Sequence, residues 1–253
     1  MVEPAPGENR QEQRREYDPT FIKEDDPEYL EEIENDQFSP FLNGEKEPKV
    51  KITTSGDEEP SIPFGKSLQV LIPNSLFENR KEGSSMAEVR NQAIEEGYTD
   101  LIILTSANNQ VYTFTHHHLP DGPTANYRIT SISLPKEIEG HARTSDHYPE
   151  VLMKRFETRL GRLTSRMLQC LFPHKPNFFG RRVLTFHHQR DFIFFRHYRY
   201  IFDSVNEARL QECGPRFTLK LLWLQEGTFD PSNGQYTYFR RARHDRNRLA
   251  WPL

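Results

Sequence analysis

The sequence predicts an α/β fold built from two related halves, and three observations carry that expectation. First, a Gly-Pro dipeptide opens an alternating strand twice. Gly214-Pro215 precedes Arg216-Phe-Thr-Leu-Lys-Leu-Leu-Trp-Leu224, and Gly122-Pro123 precedes Thr124-Ala-Asn-Tyr-Arg-Ile129. Proline lacks an amide donor, so it suits the first position of a strand. In the later strand Phe217, Leu219, Leu221 and Trp223 share one face, and Arg216, Thr218 and Lys220 the other. Aligned on Gly-Pro, Arg128 falls where Lys220 stands. Second, Leu68-Gln-Val-Leu-Ile-Pro73 parallels Leu168-Gln-Cys-Leu-Phe-Pro173, and Asp100-Leu-Ile-Ile-Leu104 parallels Asp191-Phe-Ile-Phe-Phe195. Third, strand-like and helix-like stretches alternate along the chain. Two copies are fewer than the roughly three a solenoid needs, so a pseudo-symmetric pair of α/β units is expected.

The elements follow in order. Residues 1–48 are acidic and punctuated by proline, and are expected to be largely unstructured. Within them Asp26-Pro-Glu-Tyr-Leu-Glu-Glu-Ile33 has the cap and first-turn proline of a short helix, either part of a solvated tail or a segment that folds on a partner. Order is expected from Lys49, with a strand to Ser55. A helix over 64–72 ends before Pro73, and a strand over 75–80 follows. Ser84-Ser-Met-Ala-Glu88 starts a capped helix that runs to Gly97. Thr99–Thr105 and Gln110–His118 read as strands joined through a polar turn. Pro149–Leu171 reads as the longest helix, with Leu152, Phe156, Leu160, Leu163, Met167 and Leu171 on one face. Arg155, Arg159, Arg162 and Arg166 form a stripe beside that face. Like charges at this spacing cost a few tenths of a kcal/mol per pair, which an anionic partner would relieve; the plain alternative is a solvated face. After 235 the chain turns polar, with a basic tail of Arg240, Arg241, Arg243, Arg246 and Arg248.

Charge divides the chain. Of 33 basic and 37 acidic residues, positions 1–60 hold seven and 18, a net of −11, which leaves 26 and 19, a net of +7. A basic body with an acidic tail points towards an anionic partner such as nucleic acid. It also raises the expectation that the tail competes for the same surface. Asp191–Phe202 joins aromatic and basic residues in one strand, a pattern that can suit base stacking and phosphate contact; Phe192–Phe195 are expected in the sheet core, and Arg196–Arg199 in a mixed role. No membrane span or signal peptide is expected, and two cysteines suit a reducing compartment.

Other chemistries fit less well. Gly65-Lys66-Ser67 resembles the end of a phosphate-binding loop, but Pro60 stands where its first glycine is required. His116-His117-His118 invites a metal. Neighbouring strand residues point to opposite faces, however, so at most two converge, and no carboxylate or cysteine lies at ligand spacing nearby. These histidines are expected at the surface or at an interface. No metal site, cofactor or nucleophile motif is expected, and an enzyme such as a metal-assisted hydrolase is set aside.

Several motifs together resemble the Brix domain family of ribosome assembly factors. They are Ile52-Thr-Thr-Ser55, Ile72-Pro-Asn-Ser75, Thr99-Asp-Leu-Ile102, Leu119-Pro-Asp-Gly-Pro-Thr124, Leu171-Phe-Pro-His174, Arg190-Asp-Phe-Ile-Phe-Phe-Arg196 and Gly214-Pro-Arg-Phe-Thr-Leu-Lys-Leu221. Phe186–Asp191 and Leu224–Asp230 look most like one branch of it. The resemblance covers about 49–235, with halves of about 49–140 and 141–235. It implies two halves similar to class IIa anticodon-binding domains. It also implies non-catalytic pre-rRNA binding in the nucleolus during maturation of the large (60S) subunit, beside other pre-60S factors and one dedicated protein partner. The alternative is a protein-interaction scaffold in the same particles, with incidental RNA contact. Two departures stand out: the N-terminal region is acidic where the family is often basic, and Gly56-Asp-Glu-Glu59 replaces a basic residue and proline. On these grounds the expected RNA contacts are Arg128, Arg155, Arg159, Arg162, Arg166, Arg181, Arg182, Arg196, Arg199, Arg216 and Lys220.

Overall fold

A computed structural model describes residues 21–22, 26–34, 36–55, 60–80, 83–204, 207–227 and 234–241. Gly56–Glu59, Arg243, Arg246 and Arg248 lie outside the described residues. Helices α1 (Pro27–Glu34) and α2 (Ser39–Leu42) precede strand β1 (Val50–Thr54). Then come α3 (Ser61–Leu71), β2 (Ser75–Glu78), α4 (Met86–Glu95), β3 (Asp100–Ala107), β4 (Gln110–His118) and β5 (Thr124–Ser133). The second half holds β6 (Glu150–Lys154), α5 (Arg159–Gln169), β7 (Arg182–Gln189), β8 (Phe192–Ser204), β9 (Glu207–Glu212), β10 (Arg216–Gln225) and β11 (Tyr236–Phe239). No described helix is long and apolar enough to cross a membrane.

One mixed sheet runs β2-β1-β3-β4-β5-β10-β8-β7-β6, with β9 on β8 and β11 on β10. β1 is parallel to β3 and β6 is parallel to β7, while the strands between are antiparallel. The two halves therefore read β1-β3-β4-β5 and β6-β7-β8-β10 from each side, and they meet where β5 pairs antiparallel with β10. The two strands opened by Gly-Pro are thus neighbours at the centre. Gly122 and Gly214 both take positive φ, 100° and 66°, and a Cβ at either would run into Gly227 or Ile138.

This topology corrects one internal match. Asp191 lies in the hairpin between β7 and β8, not at the start of a strand equivalent to β3. Arg190 and Asp191 (φ 52° and 63°) match Asn108 and Asn109 (φ 52° and 59°) in the β3–β4 hairpin. Both are two-residue turns with positive φ at both positions, which suits the right-handed twist of the flanking strands. The equivalent of Asp100 is Arg182, the first residue of β7.

The expected long helix also divides. Glu150–Lys154 is a strand at the sheet edge, parallel to β7. Arg155 then takes a φ of 63°, and α5 starts only where Thr158 caps it, its Oγ1 accepting the Gly161 N–H at 3.0 Å. The four-residue spacing of Leu152, Phe156 and Leu160 imitated a helix, but Val151-Leu-Met153 is a continuous apolar run on a half-covered strand. α4 begins as expected. Ser85 Oγ accepts the Glu88 N–H at 3.2 Å, and Glu88 accepts the Ser85 N–H at 2.8 Å.

α3 and α5 lie on one face of the sheet over a core shared by both halves. Phe64, Leu68, Leu168 and Leu171 meet Ile52, Tyr127, Phe195, Phe217 and Leu219 in it. α4 covers the other face at the first half only, setting Val89 and Ala93 against Leu101 and Ile103. In β10 the expected alternation holds through Leu221. A bulge between Leu221 and Trp223 then shifts the phase, so Leu224 is buried and Trp223 only half-buried. Both boundaries expected at 48 and 235 fall inside structured chain. Phe38 and Phe41 enter the core, β11 pairs with β10, and Arg240 donates to the buried Asp191 carboxylate at 3.1 and 3.2 Å.

Candidate nucleic-acid interface

The face of the sheet opposite α3 and α5 carries the first candidate surface. Arg128 and Lys220 are direct cross-strand partners at the β5–β10 seam. The Arg128 guanidinium lies 5.3 Å from the centre of the Tyr112 ring, and the Lys220 ammonium 5.1 Å from that of Phe192. Tyr112 belongs to β4 and Phe192 to β8, the strands that flank the seam on either side, so the arrangement repeats across the pseudo-twofold. Like charges directly opposite in a sheet repel. Each aromatic face partly offsets that cost, and an anion between the two cations would remove it. Phe192, Phe194 and Arg196 alternate onto this same side of β8, so of the four residues expected in the core only Ile193 and Phe195 lie in it, while Phe192 and Phe194 are half-buried. Arg196 donates to the Phe195 carbonyl at 3.0 Å and stands 4.0 Å from Glu212.

The second candidate surface, the α5 stripe, is held differently. Arg166 grips both oxygens of Asp36 at 2.7 Å and also donates to the Ile33 carbonyl and Ser39. Arg159 pairs with Glu32. Arg162 and Arg166 act on Tyr29, whose phenol burial pushes up while the two arginines pull it back. The acidic segment 26–36 therefore lies along the arginines of α5. Arg155 is exposed in the loop before α5 and is not part of the helical stripe.

The remaining expected contacts separate by burial. Arg182 is 3% exposed and is not a surface cation. It donates to the carbonyls of Ser145 (2.7 Å), His147 (2.8 Å) and Leu71 (3.2 Å), the last in the final turn of α3. Its Nε–H points at His197 Nε2 at 3.3 Å. Arg216 is taken up by a two-pronged pair with Glu212 at 2.9 and 2.8 Å. Arg199 lies across from Arg182 on the helix-bearing side of β8, so Arg196 and Arg199 do not share a face. Arg181 is exposed in the loop before β7.

The histidine run is buried, which corrects the surface or interface position expected for it. His116 Nε2 and His118 Nδ1 both lie 2.8 Å from Asp100 Oδ1, and all three side chains are buried. Asp100 is the nearby carboxylate that spacing along the chain does not show. Among the described residues no group of three or more His, Cys, Asp or Glu is arranged to hold a metal. The topologically equivalent cluster is Arg182 with His197, whose Nδ1–H donates to the Gly214 carbonyl at 2.8 Å. Burial pushes the Asp100 carboxyl up, but its histidine hydrogen bonds outweigh this and hold it at about 2. Burial lowers His117 to about 3 and, with Arg182 beside it, His197 to about 4.

These shifts set a pH dependence. Both imidazoles stay neutral in the fold, whereas in the unfolded chain they take a proton below the ordinary value of 6.5. The unfolded state then binds more protons, so stability falls as pH drops from about 6.5, by about 1.4 kcal/mol per pH unit for each. Asp100 contributes stability above 3.8 that is lost between 3.8 and about 2. The urea midpoint should fall clearly from pH 7 to pH 5; a constant midpoint would show that these imidazoles are hydrated.

The molecule is an α/β protein of two half-sheets joined at a central antiparallel seam, with a basic, aromatic-lined face. It belongs to the Brix domain family, whose model matches residues 64–223. It is 43% identical over 236 residues to a Brix domain-containing protein of Caenorhabditis elegans, covering 92% of this chain and 61% of that one. It is 40% identical over 244 residues to ribosome production factor 1 of Xenopus laevis, covering 96% and 71%. That is the branch which Phe186–Asp191 and Leu224–Asp230 resemble. A solved structure of a probable ribosomal biogenesis protein from Aeropyrum pernix shares the fold, with a TM-score of 0.51 at 14% identity, covering 74% of this chain and 99% of that one.

Proposed function

We propose that this chain is a non-catalytic ribosome assembly factor that binds pre-rRNA through the β5–β10 seam during maturation of the large (60S) subunit, in the nucleolus. Membership of the Brix family and relatives named ribosome production factor 1 support the ribosomal role. The observation that carries the RNA contact is the Arg128–Lys220 pair, two cations held side by side, each over an aromatic ring. A single phosphate fits such a pair, and the flanking rings suit nucleotides on either side of it. Both cysteines and five of the histidines, His116, His117, His118, His188 and His197, are buried. Burial raises both cysteine thiols, and His117 and His197 are buried and neutral. A dedicated protein partner and other pre-60S factors belong to the same proposal, as does the absence of a small-molecule substrate, cofactor or membrane.

Salt dependence tests it. Each phosphate contact contributes about 0.7–0.9 to the log-log slope of affinity against salt. Arg128→Ala with Lys220→Ala should lower that slope by roughly 1.5 for an rRNA fragment, with little change in base preference. Arg159→Gln should leave it unchanged, because Glu32 already balances that charge. A folded seam variant with the wild-type slope would favour the scaffold reading. A fall on Arg159→Gln would move the interface to α5.

A further inference from the structure

Loop 174–181, between α5 and β7, is occupied by neither the core nor the seam. His174, Lys175, Phe178, Phe179 and Arg181 are all exposed in it, and it contains no acidic residue. Phe178 is 62% exposed and Phe179 91%. Two adjacent phenyl rings held in water at these fractions forgo the burial that normally stabilises such side chains. Nor is the loop loosely tethered. Asn177 N–H donates to the Tyr148 carbonyl at 2.9 Å, and Asn177 Oδ1 accepts the Phe179 N–H at 3.0 Å. The Asn177 carbonyl accepts the Gly180 N–H at 3.1 Å. Gly180 is buried so closely against His147 that no Cβ would fit there. The ladder of β7 and β8 continues one residue further, the Tyr200 N–H donating to the Arg181 carbonyl at 3.0 Å. That contact brings Tyr200, which stacks edge-on with Phe202, beside the loop.

We propose that loop 174–181 is a second RNA subsite, in which Phe178 and Phe179 stack unpaired bases while Lys175 and Arg181 meet the adjoining phosphates. This rests on the RNA-binding reading above and names its substrate class: unpaired nucleotides rather than duplex. The charge decides for RNA over an apolar protein partner. Every ionisable group of the loop is a cation or a histidine, and an aromatic face flanked by cations matches a base flanked by phosphates. Rigid display of the rings lowers the ordering cost of binding.

The test uses the full chain, a single-stranded rRNA oligonucleotide carrying 2-aminopurine, and the same oligonucleotide in a duplex. The wild type should prefer the single strand and quench the probe. Phe178→Ala with Phe179→Ala should weaken single-strand binding roughly tenfold or more, abolish the quenching, and leave the salt slope intact. Both side chains are exposed, so the melting temperature should stay near wild type. Phe178→Leu with Phe179→Leu keeps an apolar surface without an aromatic face and should fail alike, whereas Tyr at both positions should rescue. Unchanged affinity and quenching in the Ala variant would overturn the subsite even if the seam variant still lowers the slope. Leu variants that bind RNA as the wild type does would overturn stacking and leave the loop as an apolar docking surface for a protein. A wild type that binds neither RNA form would defeat the underlying reading and this one together.

Discussion

Phe217→Ala is expected to remove about 3–5 kcal/mol of stability. The ring is 3% exposed and stacks on Phe195 with centroids 4.3 Å apart and planes 13° from parallel. It also takes the edge of Phe64 from α3 at 5.4 Å. Truncation therefore empties a site bounded by both strands and helix, and the strand itself sits at the seam where rearrangement would disturb both halves. Such a loss is a large share of the roughly 5–15 kcal/mol that separates folded from unfolded domains. Leu219→Ala, one pleat along on the same face, should cost about 2–5 kcal/mol. Urea unfolding followed by circular dichroism measures both. Soluble variants with unchanged midpoints would mean that the faces of β10 are inverted.

A comparable loss is expected from Arg182→Ala, for a different reason. A surface arginine can be removed at little cost, commonly under about 1 kcal/mol. Arg182 instead satisfies three carbonyls and one imidazole nitrogen inside the protein and ties the end of α3 to β7. Its removal leaves these acceptors without that donor, two of them, the His197 nitrogen and the Leu71 carbonyl, in buried contacts, at about 1–3 kcal/mol for each buried one left unpaired. The total should be about 3–5 kcal/mol after relaxation. Arg182→Lys should recover only part of it, since an ammonium cannot fork between carbonyls as a guanidinium does. A melting temperature within a degree or two of wild type for Arg182→Ala would show that the side chain is hydrated, and would return it to the group of surface cations.

The local signals of the fold were legible where the chain decides for itself. The Ser85–Glu88 box, Pro73 and Pro173 after α3 and α5, and the two Gly-Pro strand starts all mark the elements they should. Alignment on those dipeptides also placed Arg128 and Lys220 at equivalent positions, and the sheet makes them neighbours. The failures arose where long-range pairing decides. Glu150–Lys154 is a strand because β7 offers it a parallel edge, and nothing within the segment shows that edge. Asp191 resembles Asp100 by its neighbours in sequence but occupies a hairpin. Among the basic residues, spacing reveals a stripe on α5 without revealing its counter-charges: Asp36 lies 130 positions from Arg166. For the same reason Arg182 and Arg181, adjacent in sequence, could not be told apart until one was found buried and the other exposed. Phe178 and Phe179 carry no sequence signal that separates them from core phenylalanines; only the fold shows that the core passes them by.

Ultraviolet crosslinking of the full chain to an rRNA fragment, with the crosslinked peptides mapped by mass spectrometry, tests the central claim most directly. Nucleotide adducts should concentrate on peptides from β4, β5, β8 and β10, with Tyr112 and Phe192 the nearest rings to the paired cations, and on loop 174–181. Adducts confined to α5, with the seam and the loop unmodified, would contradict the account and put the RNA where the acidic segment now lies.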